Sequence, residues 1–487
     1  MRGWRDRSPA RRDRAWSLVG LLAVCGCVRE VATPIGKAPA RAEVWVDAYA
    51  LEGGDGTRSR PLKRIPGELP ARVALHLASG LYEGPFAFPV GARVVGHGEV
   101  VLHAEAPVVV VTGEALELAH VSVQGGAVGV SLLGKCFLDE VHVSGHREAG
   151  VDVREGAVLE AKGLSLDGTI PEALGLRARS AEVKVRGASF RGGLKRALQL
   201  EGGAATLTDV RSEGGRTLVH ASGVTLTLSQ ARAWGGTGPA VFVAGGQARV
   251  EGLEVDGHAS ALSVASGARV DARGLRSQRA YESGVVFMRA SGSLRDVEVS
   301  HAGPGGAVQL LDSEVTVEDA RLLDSKAMGV FVRKGRARLS RVVVERLSAE
   351  ANGDGTRSLG DALMLRDAQV EVDEVTAREV EGSALFASAF ATVRVGTLVA
   401  ERTGGGVLYV ERGATVRAKD VTSRATLGPA VTVPDKASLE VQRLVVSGGA
   451  EVPVYAACGD GALVQVGTLD TSVPQPASPC VQVGPRR

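Results

Sequence analysis

From Val128 onward, short apolar–polar–apolar runs alternate with breaks rich in Gly, Asp and Ser, and the alternation repeats to the end of the chain. The pair Val128/Val130 returns as Val151/Val153, Leu174/Leu176 and Leu198/Leu200, then at 218, 241, 262, 285, 308, 330, 363, 385, 407, 431 and 452. The spacing is about 22 residues, which suits a coil made only of strands and leaves no room for a helix. Each repeat carries two further apolar pairs. One set is typified by Val183/Val185, Val315/Val317 and Val370/Val372, the other by Val141/Val143, Leu164/Leu166 and Val342/Val344. Period-two alternation puts these residues inside and their neighbours outside. The pattern predicts an all-β solenoid, a single-stranded parallel β-helix of about 15 coils with three strands per coil.

One spacing breaks the rule, the wider gap between Val330 and Leu363. Its extra residues, 348–361, are polar and Gly-rich, so they read as a loop budding from one turn, either a binding element or a neutral insertion. Acidic residues recur just ahead of the third strand, at Glu140, Asp209, Asp296, Asp319, Glu374 and Asp420. In other coils the same place holds Gly163, Gly252, Gly274 or Arg341. Asp and Gly interchange where a turn needs a positive φ or a local hydrogen bond, so this row reads as turn chemistry and not as a carboxylate cluster.

Composition narrows the function. Gly is abundant at 64 residues and aromatics are only 4%, consistent with many tight turns and a narrow Val/Leu/Ala interior. The formal charge is +2, but residues 1–26 hold six Arg and two Asp, so the chain after them carries −2. No Lys/Arg block remains to neutralise a phosphate backbone, and nucleic acid is not expected as a partner.

The amino end reads as an address. Arg-rich residues 1–14 precede a short apolar run, Ala15 to Cys27, too short to span a bilayer and laid out as a secretory signal. Val24-Cys25-Gly26-Cys27 resembles a bacterial lipobox. That resemblance implies a leader over 1–26, lipidation at Cys27, a tether over 27–42, and a lipid-anchored place in the cell envelope, periplasm or outer membrane. An ordinary signal cleaved without lipidation is the alternative. Of the other cysteines, Cys136 falls in a repeat strand and reads as a small buried hydrophobe. Cys458 and Cys480 flank the last coil and a Pro-rich tail, 471–487. In an exported chain they are expected to form a bridge closing the open end, with two unrelated thiols as the alternative.

Residues 43–104 differ in texture from the repeats. Gly54-Asp55-Gly56, Pro61 and the strand ending Gly80-Leu81-Tyr82 resemble the opening of parallel β-helix proteins of the pectin-lyase-like superfamily. The resemblance implies a right-handed helix, with 43–104 as cap and first coils and 105–470 as the helix proper. Two Pro residues, Pro61 and Pro66, weaken the expected capping helix, so a loop is expected there. The superfamily hosts many activities, so the resemblance is nearly silent on function.

Candidate chemistry is sparse. The string Gly-Asp-Gly-Thr-Arg-Ser occurs at Gly54–Ser59 and Gly353–Ser358, but one Asp per loop is far from a calcium site. His103, His120, His142 and His146 lie on neighbouring coils without metal-ligand spacing. No metal and no cofactor are expected. Outward positions of the second strands (Lys184, Arg249, Arg269, Arg338, Glu371) and of the third (Arg211, Arg232, Glu254, Arg276, Glu298) are charged and face water. The first strands differ. Their outward column reads Gly129, Asp152, Gly175, Gln199, Val219, Phe242, Ser263, Val286, Gln309, Phe331, Met364, Phe386, Leu408, Thr432, Pro453. Val219, Phe242, Val286, Phe331, Met364, Phe386 and Leu408 therefore form an expected apolar stripe, a docking surface for a protein or polysaccharide partner. Polysaccharide-cleaving members of the superfamily carry carboxylates and basic residues on this face, whereas here it offers one acid, Asp152. The expectation is a non-catalytic, lipid-anchored binding or scaffold module, with a polysaccharide lyase or glycoside hydrolase as the alternative.

Overall fold

The computed structural model describes residues 42–351, 358–449, 452–471 and 477–484, all within the compact unit Arg41–Arg487. The leader, Cys27 and the tether up to residue 41 lie outside the described residues. A typical coil opens with the strand Ser260–Ala265 and turns at Ser266 and Gly267, both left-handed at φ 56° and 76°. It continues into one long strand, Arg269–Gln278. That strand holds the expected second and third strands, bent between them by Gly274 at φ 66°. Glu140, Asp209, Asp296 and Asp319 make the same bend at φ 51–55°, as does Arg341 at 53°. Their job is backbone geometry, since short polar residues tolerate the left-handed region best after Gly. Glu374 and Asp420, in later coils, do not adopt a positive φ.

Coils stack as parallel neighbours, with one register shift in the first coils, between Ala78 and Gly80. The inner ladder of the first sheet runs Val241, Leu262, Val285, Val308, Val330, Leu363, Leu385, Leu408, Val431, Val454. Met328 pairs with Asp361 and Val330 with Leu363, so the 348–361 insertion buds off without shifting the ladder. Its flanks, Glu350–Ala351 and Ser358–Leu359, pair as a small antiparallel ribbon.

The protein is an all-β parallel solenoid of about 18 turns, and among the described residues there is no helix. The count exceeds the expected ~15 because the first residues already coil. Glu43–Val46 pairs in parallel with Ala74–Glu83, which pairs with Arg93–Ala104. The segment around Leu62 is a loop that bridges back to Val46. At the other end Cys458 and Cys480 are bonded, with Cα atoms 5.6 Å apart. The tail strand Gln482–Val483 then lies along Leu463–Thr471, so it covers part of the last edge. Cys136 is buried beside the Thr112 hydroxyl, and burial pushes its thiol pKa up.

The corner at the start of each first strand departs from strict alternation. At Gly129, Gly284 and Gly329 a Cβ would run into the inward valine of the third strand, Val143, Val299 or Val344 respectively. The alanines in the same place, Ala240, Ala261, Ala307, Ala362 and Ala384, are wholly buried. Two successive residues therefore point inward at this corner, and the first must be small.

Candidate functional site

That corner decides which residues reach the outer face of the first sheet. The register gives the outward column as Ser131, Asp152, Arg177, Gln199, His220, Phe242, Ser263, Val286, Gln309, Phe331, Met364, Phe386, Tyr409, Thr432, Tyr455. Val219 and Leu408 are not on it. Both are 0% exposed and belong to the inner ladder. Each follows a second apolar residue, Leu218 or Val407, and the pair enters the corner together, so the alternation slips by one. Gly129 and Gly175 occupy the small corner position, and Pro453 is buried ahead of Val454. The true outward residues of those coils are Ser131, Arg177, His220, Tyr409 and Tyr455.

The column has two halves. In the polar half, Asp152 is 1% exposed and held between two arginines. Arg177 Nε donates to Asp152 Oδ1 at 2.7 Å, and Arg154 Nε lies 2.9 Å from Oδ2. The carboxylate is sealed under its partners, and its proximity in turn holds the Arg177 pKa above the ordinary guanidinium value. Next door, Arg196 donates to Gln199 Oε1 at 2.9 Å, and Gln199 donates to Glu201. His220 follows, stacked on Phe242 with ring centroids 4.9 Å apart. Burial, reinforced by the charge of Arg196, pushes the His220 pKa down to about 4, so it is neutral at physiological pH.

From Phe242 the column turns apolar. Phe242, Val286 and Phe331 are half-buried, with Gln309 between them tied to Ser283 Oγ at 2.9 Å. Met364 and Phe386 face outward yet are only 5% and 1% exposed. They pack with Ala327 and Met328 into a cluster flanked by Phe331 and Tyr409, and the Phe386 and Tyr409 rings lie 5.3 Å apart. These two are therefore part of a small outer core and not an open surface. The accessible part of the stripe is Phe242, Val286 and Phe331, extended by Tyr409 and by the exposed Tyr455.

The other candidates disperse. His120 meets Glu140 at 3.1 Å, His142 lies 3.7 Å from Asp167, His103 lies 3.6 Å from Glu105, and His146 is wholly buried. Among the described residues no group of three or more His, Cys, Asp or Glu is disposed to hold a metal ion. Asp55 accepts from the Thr57 amide and hydroxyl, which organises its own turn and lowers its pKa. Residues 353–357 of the second such string lie outside the described residues. An aromatic group the sequence pattern did not single out sits on the first coils. The His76 Nδ1 and His97 Nε2 atoms share a hydrogen bond of 2.9 Å, and Trp45 covers both rings with Arg58 above it.

No family model and no curated protein matches the chain. Among solved structures it is similar to a rhamnogalacturonan lyase, at 10% identity over 84% of this chain and 87% of that one, with a TM-score of 0.18. It is also similar to a pectate lyase, at 11% identity over 83% and 78% with a TM-score of 0.15. A third is the catalytic domain of an α-1,3-glucanase in complex with tetrasaccharides, at 8% identity over 85% and 64% with a TM-score of 0.16. The class of the protein, a parallel β-solenoid, rests on its own register.

Proposed function

We propose that this solenoid is a non-catalytic, lipid-anchored binding rod of the bacterial cell envelope. In this reading the outer face of the first sheet docks a protein or polysaccharide partner. The observation that carries it is the state of Asp152. The lone acid of that column is 1% exposed, with Arg177 and Arg154 against its two oxygens, so the carboxylate is not presented at the surface where a base would have to act. Beyond it the column offers half-buried Phe242, Val286 and Phe331, the kind of surface that gains by burial. Since they are already half-buried, each gains only part of the about 1.5–3 kcal/mol that full burial of such a side chain is worth.

The test uses the mature chain immobilised against neutral envelope polysaccharides and purified envelope proteins. Wild type is compared with the double variant Phe242→Ser/Phe331→Ser, whose changes sit outside the core ladder. A ligand held at least about tenfold more tightly by wild type carries the reading. Ligands retained equally by both overturn it.

A further inference from the structure

The apolar stretch of the first-sheet face has nearly the same chemistry read from either end. We propose that its protein partner is a second copy of this chain, packed antiparallel about a two-fold axis through Val286. The inference rests on the reading of this face as a docking surface and names its occupant.

In register, successive coils present Phe242, Ser263, Val286, Gln309 and Phe331. The order is large ring, polar, Val, polar, large ring. A second outward column, two residues further along each strand, reads Ala244, Ala265, Met288 and Leu311. Met288 is 42% exposed, and Ala244 and Leu311 are half-buried. The patch is thus two columns wide, with the coil of Val286 and Met288 at its midpoint.

An isologous pair sets residue i of one chain against residue j of the other, and j against i. An axis parallel to the strands of the Val286 coil keeps each column on itself and reverses the order of coils. Phe242 then meets Phe331 of the second copy, Val286 and Met288 meet their own counterparts, and Ser263 faces Gln309. The Gln309 amide nitrogen donates to Ser283 Oγ and to the Gly305 carbonyl. Its own carbonyl oxygen is left to accept from the Ser263 hydroxyl, and symmetry makes that bond twice.

Charge agrees with the antiparallel order. The same axis sets Arg179 opposite Glu411 and Arg177 opposite the Tyr409 ring, a cation over an aromatic face. Glu201 falls within one coil of Arg366, whose side chain has no carboxylate partner among the described residues. No like charges stand opposite in the two columns. A parallel pairing, coil on like coil, would instead set Arg177 against Arg179. At about 4.8 Å per coil the face from Arg177 to Tyr409 is about 50 Å long. Six-residue strands such as Pro239–Ala244 make it about 20 Å wide. That is room for the about 800 Å² per partner of a stable interface.

The experiment traps the contact with single cysteines in the full chain and reads dimers on non-reducing gels after mild oxidation. Wild type, whose free Cys136 is buried, is the blank. Val286→Cys should dimerise with itself. Phe242→Cys and Phe331→Cys should each stay monomeric alone and dimerise when co-expressed. Sedimentation velocity of the purified mature chain should show a concentration-dependent dimer. Phe242→Ser/Phe331→Ser should raise its dissociation constant at least about tenfold, and Arg232→Gln/Arg276→Gln, on the third sheet, should leave it unchanged. Self-trapping of Phe242→Cys would overturn the antiparallel order, and a dimer insensitive to Phe242→Ser/Phe331→Ser would overturn the inference outright. A chain monomeric at every concentration also overturns it. If that chain still loses another ligand in Phe242→Ser/Phe331→Ser, the docking reading stands and only the occupant is wrong.

Discussion

The phase of the strands around residue 408 is open to a direct mutational test. Plain alternation puts Val407 and Tyr409 inside and Leu408 outside, whereas the register puts Leu408 between Leu385 and Val431 in the inner ladder. Leu408 is wholly buried, so Leu408→Ala removes three carbons from a packed site that neighbouring coils hold rigid. The expected cost is about 3 kcal/mol, within the usual range for such truncations. Tyr409 is half-buried and packs on Phe386, so Tyr409→Ala should cost about 1 kcal/mol, mostly lost ring contact. A solenoid unfolds in neighbouring units and not necessarily as one, so the assay is amide hydrogen exchange in coils 383–433, not a global melt. For Leu408→Ala, protection of the first-strand amides there should fall by about two decades, and for Tyr409→Ala by less than one. A larger loss from Tyr409→Ala would refute the register and return the face to simple alternation.

Three further outcomes follow from named groups. Reducing Cys458–Cys480, 22 residues apart, should destabilise the last coil by about 3 kcal/mol on the chain-entropy model, seen as faster exchange confined to residues beyond about 430; unchanged exchange there contradicts a closing role. Burial holds the pKa values of His146 and His258 below 6.5, and that of His220 at about 4. The unfolded chain therefore takes up protons first as pH falls, so stability is level above about 6.5 and declines between 6.5 and 4; His146→Gln/His258→Gln should flatten the melting-temperature slope in that window, and an unaltered slope contradicts it. Cys27 is proposed as the lipid attachment point, so mass spectrometry of the mature chain should find acylated Cys27 as its first residue; an unlipidated terminus or an intact leader contradicts this.

The solenoid was legible in the sequence because its interior is monotonous. Pairs such as Val151/Val153, Val241/Val243 and Val330/Val332 repeat at the coil length, and each holds its expected inward place. The left-handed bends were legible at Glu140, Asp209, Asp296 and Asp319, where acid and Gly exchange, but not at Glu374 and Asp420, which do not adopt a positive φ. The outer face was read only in part. Where Leu218 precedes Val219, or Val407 precedes Leu408, two apolar residues enter the corner together and period-two counting has no way to choose between them. The same slip hid Arg177 behind Gly175, and with it the partner that seals Asp152. Side chains such as Met364 and Phe386 are outward by alternation yet covered by packing across coils, which no one-dimensional pattern records.

The central claim is that the face bearing Asp152 binds without catalysing. Its most direct test is product release by the purified mature chain from a panel of neutral and acidic polysaccharides. New reducing ends would report hydrolysis, and ultraviolet absorbance of unsaturated sugars would report elimination. The account predicts no product above buffer for wild type and for Asp152→Asn alike. Product from wild type that disappears in Asp152→Asn would contradict it and make the sealed carboxylate a working group.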